Sequence, residues 1–472
     1  MADNPESSAA AWQPIELGKA AFALKEPRRV GFVSLGCPKN LVDSEVMLGT
    51  LKRRGHEITN DVASADVIVV NTCAFIDRAK KESIDTVLEM ARLKTRGPGD
   101  APRRLVVTGC LAERHDKDLR LEIPEIDATL GTGQIPQIVE AVEGRATIVD
   151  RAAKRPEWIY DAESPRLQST ASHTAFIKIS EGCDYTCTFC IIPTLRGLHR
   201  SRPAEDIERE ARRLAASGVR EIVLVAQDST RYGLDLGERG ALAPLLRRLG
   251  AIDSLRWIRV MYAYPATVTD DILDAIASEA KVVKYVDMPL QHASEAVLKR
   301  MKRPTGKGNL LGMVERVRRR VPGVAFRTTF IVGFPGETDA DFQQLATFVE
   351  QAEFDHLGVF TYSDEEGTAA FDLKGRVPAK VKKARQGELM RIQKRISSRR
   401  NKALVGSRVE VLIDGPHPET DLLLAGRLAS QAPEIDGAVL ITDPGERPPG
   451  RGEFVTCEVT KGHAYDLEAR VI

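Results

Sequence analysis

From Arg28 to about Gly144, short Val/Ile-rich runs alternate with amphipathic stretches. VGFVSLGC, DVIVVNTC and RRLVVTGC read as strands, and NLVDSEVMLGTLKRRG and FIDRAKKESIDTVLEMARLK as helices, so the pattern predicts βα units and an open parallel sheet. Residues 145–172 carry Pro, Ser and mixed charge with little periodicity and are expected to form a domain linker. A second α/β run follows, with candidate strands at 174–180, 221–225, 257–262, 285–290, 324–333 and 356–362 and helices such as PAEDIEREARRLAASG between them. Six such units suit a partial (βα)6 barrel, whose chemistry sits at the carboxyl ends of its strands. RVEVLIDG, LLLAGRLA, GAVLITD, EFVTCEVT and YDLEARVI then read as five short strands of a small antiparallel β-barrel. The fold class is α/β, with expected domains at 28–144, 173–402 and 403–472 and a mobile leader at 1–27.

Composition narrows the class. A chain of 472 residues suits about three domains on the prior of about 150 residues each. A net charge of +1 gives no global signature of nucleic-acid or anionic-membrane binding. Seven cysteines in a long, charged sequence argue against a disulfide framework and fit a reducing compartment. The start, MADNPESSAAAWQPIELGKA, lacks an apolar core of signal-peptide length, and no run of about 18 apolar residues occurs. The expectation is a soluble cytoplasmic protein.

Six of the seven cysteines fall into two triplets. Cys183, Cys187 and Cys190 are local, in EGCDYTCTFC; Cys37, Cys73 and Cys110 are dispersed, each directly after a strand-like run. The dispersed separations, 73 − 37 = 36 and 110 − 73 = 37, match one βα unit each. That spacing places all three at one edge of the sheet, where open α/β sheets bind ligands. Thiolates are the usual ligands of iron–sulfur clusters, and a full set is four, so three per site leaves one iron for something other than protein. A zinc site wants four ligands, and His199 reads as an exposed loop residue rather than a fourth. The plain alternative for the dispersed set is three buried structural thiols. Cys457, alternating with Val455 and Val459, reads as a core residue of the small barrel.

The CxxxCxxC loop, with Phe189 before its last cysteine and the strand AFIKIS before the loop, resembles the radical S-adenosylmethionine (SAM) superfamily. The resemblance implies a 4Fe-4S cluster on Cys183, Cys187 and Cys190 whose free iron binds SAM and whose electron splits it to methionine and a 5′-deoxyadenosyl radical. Such a cofactor is needed where side chains cannot attack an unactivated C–H bond. VAQDST resembles the segment that contacts the methionine amino group, with Gln227 and Asp228 as its polar contacts, and FIVGFPGET, with Gly333, resembles the strand end beside the adenine. The two triplets in this order, with the C-terminal TRAM-like barrel, resemble the methylthiotransferase family from about residue 28 onward. That resemblance implies a second 4Fe-4S cluster on Cys37, Cys73 and Cys110 that carries sulfur. One SAM serves as methyl donor and another as radical source.

The family divides between tRNA adenosine and an aspartate of the small-subunit ribosomal protein S-twelve. SLGCPKNLVDSE, VNTCAFI and MPLQHASEAVLKRMKRP resemble the ribosomal-protein branch. That implies methylthiolation of the aspartate β-carbon of a basic ribosomal protein, free or in the assembled small subunit, with a reducing partner protein and no membrane. From 403 to 472 there are twelve Asp/Glu and six Lys/Arg, a surface expected to attract a basic protein and repel phosphate, with Asp414, Glu419, Asp421 and Glu434 among its carboxylates. The stretch 379–402 carries ten Lys/Arg against one Glu, fitted either to ribosomal RNA or to bracing the acidic barrel. The alternatives are a tRNA N6-modified-adenosine C2 methylthiotransferase and, in another class, a non-catalytic iron–sulfur electron-transfer or RNA-binding protein.

Overall fold

The computed structural model describes residues 26–95, 102–145, 155–304 and 309–472. Most of the expected leader, and the part of the expected linker at 146–154, lie outside the described residues. The chain forms two compact units: residues up to 171 with 176–185 and 190–213, and residues 172–175, 186–189 and 214–472.

The first unit holds a five-stranded sheet of β1 (Arg29–Ser34), β2 (Glu57–Thr59), β3 (Val67–Thr72), β4 (Arg104–Gly109) and β5 (Ala128–Leu130), in the order β2-β1-β3-β4-β5. All four pairings are parallel, as the βα alternation predicts. Strand β3 is buried throughout, which is why VIVVNT reads as a continuous apolar run rather than an alternating one. Residues 155–171 pack into this unit and bury Tyr160, Arg166 and Leu167. The strand β6 (Thr174–Lys178) and the short antiparallel pair β7 (Ser180–Glu181) and β8 (Arg200–Ser201) follow.

The second unit carries the remaining strands of the expected barrel: β9 (Glu221–Val225), β10 (Trp257–Val260), β11 (Tyr285–Asp287), β12 (Ala325–Val332) and β13 (His356–Thr361). Hydrogen bonding divides the six expected strands into two three-stranded sheets, β10-β9-β6 and β11-β12-β13. The seam has a local cause: β10 bonds to residues 281–283, ahead of β11, through Ile258 N to the Lys281 carbonyl and Val283 N to the Ile258 carbonyl.

The C-terminal barrel comprises β14 (Arg408–His417), β15 (Thr420–Arg427), β16 (Val439–Asp443), β17 (Phe454–Gly462) and β18 (Leu467–Val471), closed in the order β14-β15-β16-β18-β17. One pair, β16 with β18, is parallel, so the barrel is not purely antiparallel. The reason is connectivity: β17 returns to pair with β14, and β18 closes the gap between β16 and β17. Cys457 is fully buried in its core with Val411, Ile441 and Val459, as its alternation predicts.

Two charge expectations change here. Asp414 is no free surface carboxylate: it accepts from Arg427 Nε at 2.8 Å and pairs with His173 at 2.9 Å. It belongs to the bracing of the small barrel against β9, because Arg427 also reaches Glu221. The basic stretch forms the helix Ala379–Ala403, and four of its cations answer carboxylates outside the acidic barrel. Arg385 meets Glu337 and Asp339, Arg395 meets Glu350, Arg399 meets Glu353 and Arg400 meets Asp355. The helix touches the barrel instead through Asn401, which donates to the His463 carbonyl.

Candidate metal centres

In the first unit, Cys37, Cys73 and Cys110 follow the adjacent strands β1, β3 and β4 at their carboxyl ends. Cys37 is the N-cap of the helix Pro38–Arg54, which Pro38 starts at a position where no N–H is needed. Cys110 opens the helix Cys110–Glu122. Cys73 lies between them in the loop after β3, its N–H on Ser83 Oγ at 2.9 Å and its carbonyl accepting from the same hydroxyl. Gly36, at φ +95°, makes the approach possible: a Cβ there would stand 2.8 Å from Cys73 Cβ and 3.2 Å from its sulfur. Gly109, at φ +93°, likewise turns where a Cβ would strike the Asn71 amide at 2.3 Å.

The three thiols feel one another. Burial pushes Cys73 up to about 12, and the neighbouring Cys110 and Cys37 push the same way. Burial also raises Cys110, against the pull of Arg196. Cys37 ends below the ordinary thiol value, because Lys39 and Arg196 outweigh the burial that would raise it. Among the described residues no three His, Cys, Asp or Glu side chains form a single-ion site. Three thiols that influence one another, with Lys39 and Arg196 acting on them, form a donor set that would suit a cluster, one thiolate to an iron, its charge offset by the cations.

Under this edge lies a buried set of charges that the sequence pattern does not reveal. Arg196 Nη1 donates to Asp43 at 2.8 Å and to Glu181 at 3.0 Å, while its Nη2 reaches Asn40 Oδ1 at 3.2 Å and Cys110 Sγ at 3.6 Å. Lys178 Nζ bonds both Asp43 and Glu181. A neighbouring chain of pairs runs from Glu45 through Arg166 and Glu210 to Arg202 and Asp206, with the Tyr160 hydroxyl on Glu210 at 3.0 Å. One hint was available: Lys178 interrupts TAFIKIS, an otherwise apolar strand, and a lysine there must be paired when buried.

The local triplet is divided between the units. Cys183, after β7, donates its N–H to the Gly197 carbonyl at 3.0 Å, and Cys190 is half-buried before the helix Ile192–Arg196. Cys187, in the second unit, is buried with its sulfur 3.8 Å from Arg303 Nη1. That arginine stacks on Tyr264 at 4.0 Å and bonds the Pro289 carbonyl. His199 is buried rather than exposed: it immediately precedes β8, its N–H on Asp184 at 2.8 Å and its ring beside Ser201.

The residues expected near SAM lie at strand ends of the second unit. Gln227, half-buried, and Asp228 follow β9, and the Asp228 carboxylate accepts from Thr230 N at 2.9 Å as the cap of a short turn. Gly333 directly follows β12, and its N–H donates to Glu337 Oε2 at 2.6 Å. Sequence reasoning missed the group behind it. His292, fully buried, stands 3.6 Å from that oxygen, and Arg385 holds the other oxygen of Glu337 at 2.6 Å.

Comparison with known proteins decides the family. Residues 29–131 match the uncharacterized protein family UPF0004, 177–349 the radical SAM superfamily and 405–472 the TRAM domain. A ribosomal protein uS12 methylthiotransferase of Myxococcus xanthus is 52% identical over 94% of this chain and 92% of its own length. This chain belongs to the ribosomal protein uS12 methylthiotransferase family. A second member, from Solibacter usitatus, is 51% identical over 93% of this chain and 94% of its own. Among solved structures, the radical SAM methyltransferase TsrM of Kitasatospora setae superposes with a TM-score of 0.51 at 16% identity, covering 71% of this chain and 72% of that one. At that identity the likeness is one of fold. The family is one of radical SAM transferases, and its cofactors are SAM and 4Fe-4S clusters. No helix among the described residues is long and apolar enough to cross a membrane.

Proposed function

We propose that this chain methylthiolates the β-carbon of an aspartate of ribosomal protein uS12. The observation that carries the reading is the gathering of Cys37, Cys73 and Cys110 at the ends of three adjacent strands, in a chain 52% identical to a uS12 methylthiotransferase. In this reading those thiolates hold one 4Fe-4S cluster, and Cys183, Cys187 and Cys190 hold the other. Gln227, Asp228 and Gly333 line the SAM site. Bound there, the clusters and SAM supply a carbon-centred radical and a methylthio group, which no side chain can furnish.

The chain's own residues do the rest. Gly36 and Gly109 let the backbone turn tightly enough for the thiols to converge. The buried Asp43, Lys178, Glu181 and Arg196 fix the floor beneath them. The domains are 28–144, 173–402 and 403–472, the last recruiting the basic substrate, and the enzyme works in the cytoplasm with a reducing partner protein. The wording of the relatives' names favours the ribosomal protein over tRNA. The reconstituted protein, incubated with SAM, a reductant and purified uS12, is expected to add one methylthio group to a single aspartate peptide by mass spectrometry. An unmodified uS12, or modification of tRNA in its place, would overturn the proposal.

A further inference from the structure

Arg196 is the feature that the established chemistry does not use. Its guanidinium is 2% exposed and makes four contacts that fix its direction: Nη1 is taken by Asp43 and Glu181, which leaves Nη2 aimed at Asn40 and the Cys110 sulfur. With Lys178 beside it, the group holds two cations and two carboxylates, so its charges balance without the thiol, and the contact to sulfur is what the guanidinium's direction adds. A charge-assisted donor on a thiolate draws electron density from the sulfur. Hydrogen bonds to sulfur, net charge and solvent exposure are what set cluster potentials. Buried this deeply, the contact is not screened by water.

We propose that Arg196 is a positioning residue that sets the reduction potential of the N-terminal cluster through its hydrogen bond to Cys110, raising that potential above what the three thiolates alone would give. The inference rests on the ligand assignment proposed above. It assigns Asp43 and Glu181 a role as well: they hold the fork so that one nitrogen faces sulfur.

The test uses the full chain with Cys183, Cys187 and Cys190 replaced by alanine, so that one cluster remains. Its midpoint potential is read by EPR during titration with dithionite, and iron is counted in parallel. Arg196→Met removes the donor and leaves two carboxylates against one lysine, so the potential should fall by at least tenfold in the reduction equilibrium, about 59 mV for a one-electron couple. Arg196→Lys keeps the charge but loses the fork and should shift the same way by less. Unchanged potentials with iron retained would refute the role. Loss of iron from both variants would also refute it, making the arginine structural. If only Arg196→Met loses iron, the lysine variant decides by its shift. A background that binds no iron refutes the ligand assignment itself, and this inference with it. As a control, the potential of the other cluster, isolated by replacing Cys37, Cys73 and Cys110 with alanine, should not respond to Arg196→Lys.

Discussion

Glu221 on β9 and Arg427 on β15 form an ion pair at 2.8 Å with side chains 0% and 6% exposed, joining the small barrel to the strands that precede it. Arg259 holds the other oxygen of Glu221 at 2.9 Å. Burial would raise the Glu221 carboxyl, but Arg427 and Arg259 outweigh it and hold it below the usual carboxylate range. Its contribution is therefore present above the unfolded value of about 4.3 and is lost as pH falls through the lower folded value. Glu221→Gln should cost about 3–5 kcal/mol near neutral pH, since it leaves a buried arginine short of a partner. Thermal melting from neutral to acid pH should show the gap between variant and parent closing on the acid side.

Replacing any of Cys183, Cys187 or Cys190 by alanine should abolish release of methionine and 5′-deoxyadenosine. The assay is chromatography of SAM products from the reduced, reconstituted variants. Retained cleavage in any one would contradict the proposed ligand set.

Alanine at Cys37, Cys73 or Cys110 should instead lower iron by about one cluster and stop methylthio transfer, with 5′-deoxyadenosine still formed. Equal iron in variant and parent would mean that these thiols only pack.

The proposed electrostatic recruitment rests on fewer carboxylates. Glu419 and Glu434 are exposed, whereas Asp414 is engaged by Arg427 and His173. Neutralising Glu419 and Glu434 should raise KM for uS12 about twofold to tenfold without touching SAM cleavage, because exposed charges are individually weak and screened by salt. Asp414→Asn should lower thermal stability and leave KM nearly unchanged. Steady-state kinetics at two salt concentrations, beside melting curves, separates these outcomes.

The parallel sheet, the strand-end cysteines and the five barrel strands were legible because each is a local pattern: period two, an apolar run, or a spacing of one βα unit. The buried charges were not. Asp43, Lys178, Glu181 and Arg196 lie up to 153 positions apart, and each but Lys178 reads singly as a solvated side chain. Only pairing made their burial tolerable, and pairing across such distances has no periodicity. His199 was misread for a related reason: it bonds Asp184, fifteen positions away, and the two-residue strand β8 beside it is too short to leave a pattern.

The strap of cations on the helix Ala379–Ala403 means that ionic strength acts on this enzyme in two places. Arg395 and Arg399 meet Glu350 and Glu353 where water reaches them, so added salt loosens that strap as well as any charge-guided encounter with substrate. The two separate by saturation. A loss of rate that excess uS12 restores reports the encounter; a loss that persists at saturation reports the loosened strap, since the buried pair of Arg385 with Glu337 is screened far less.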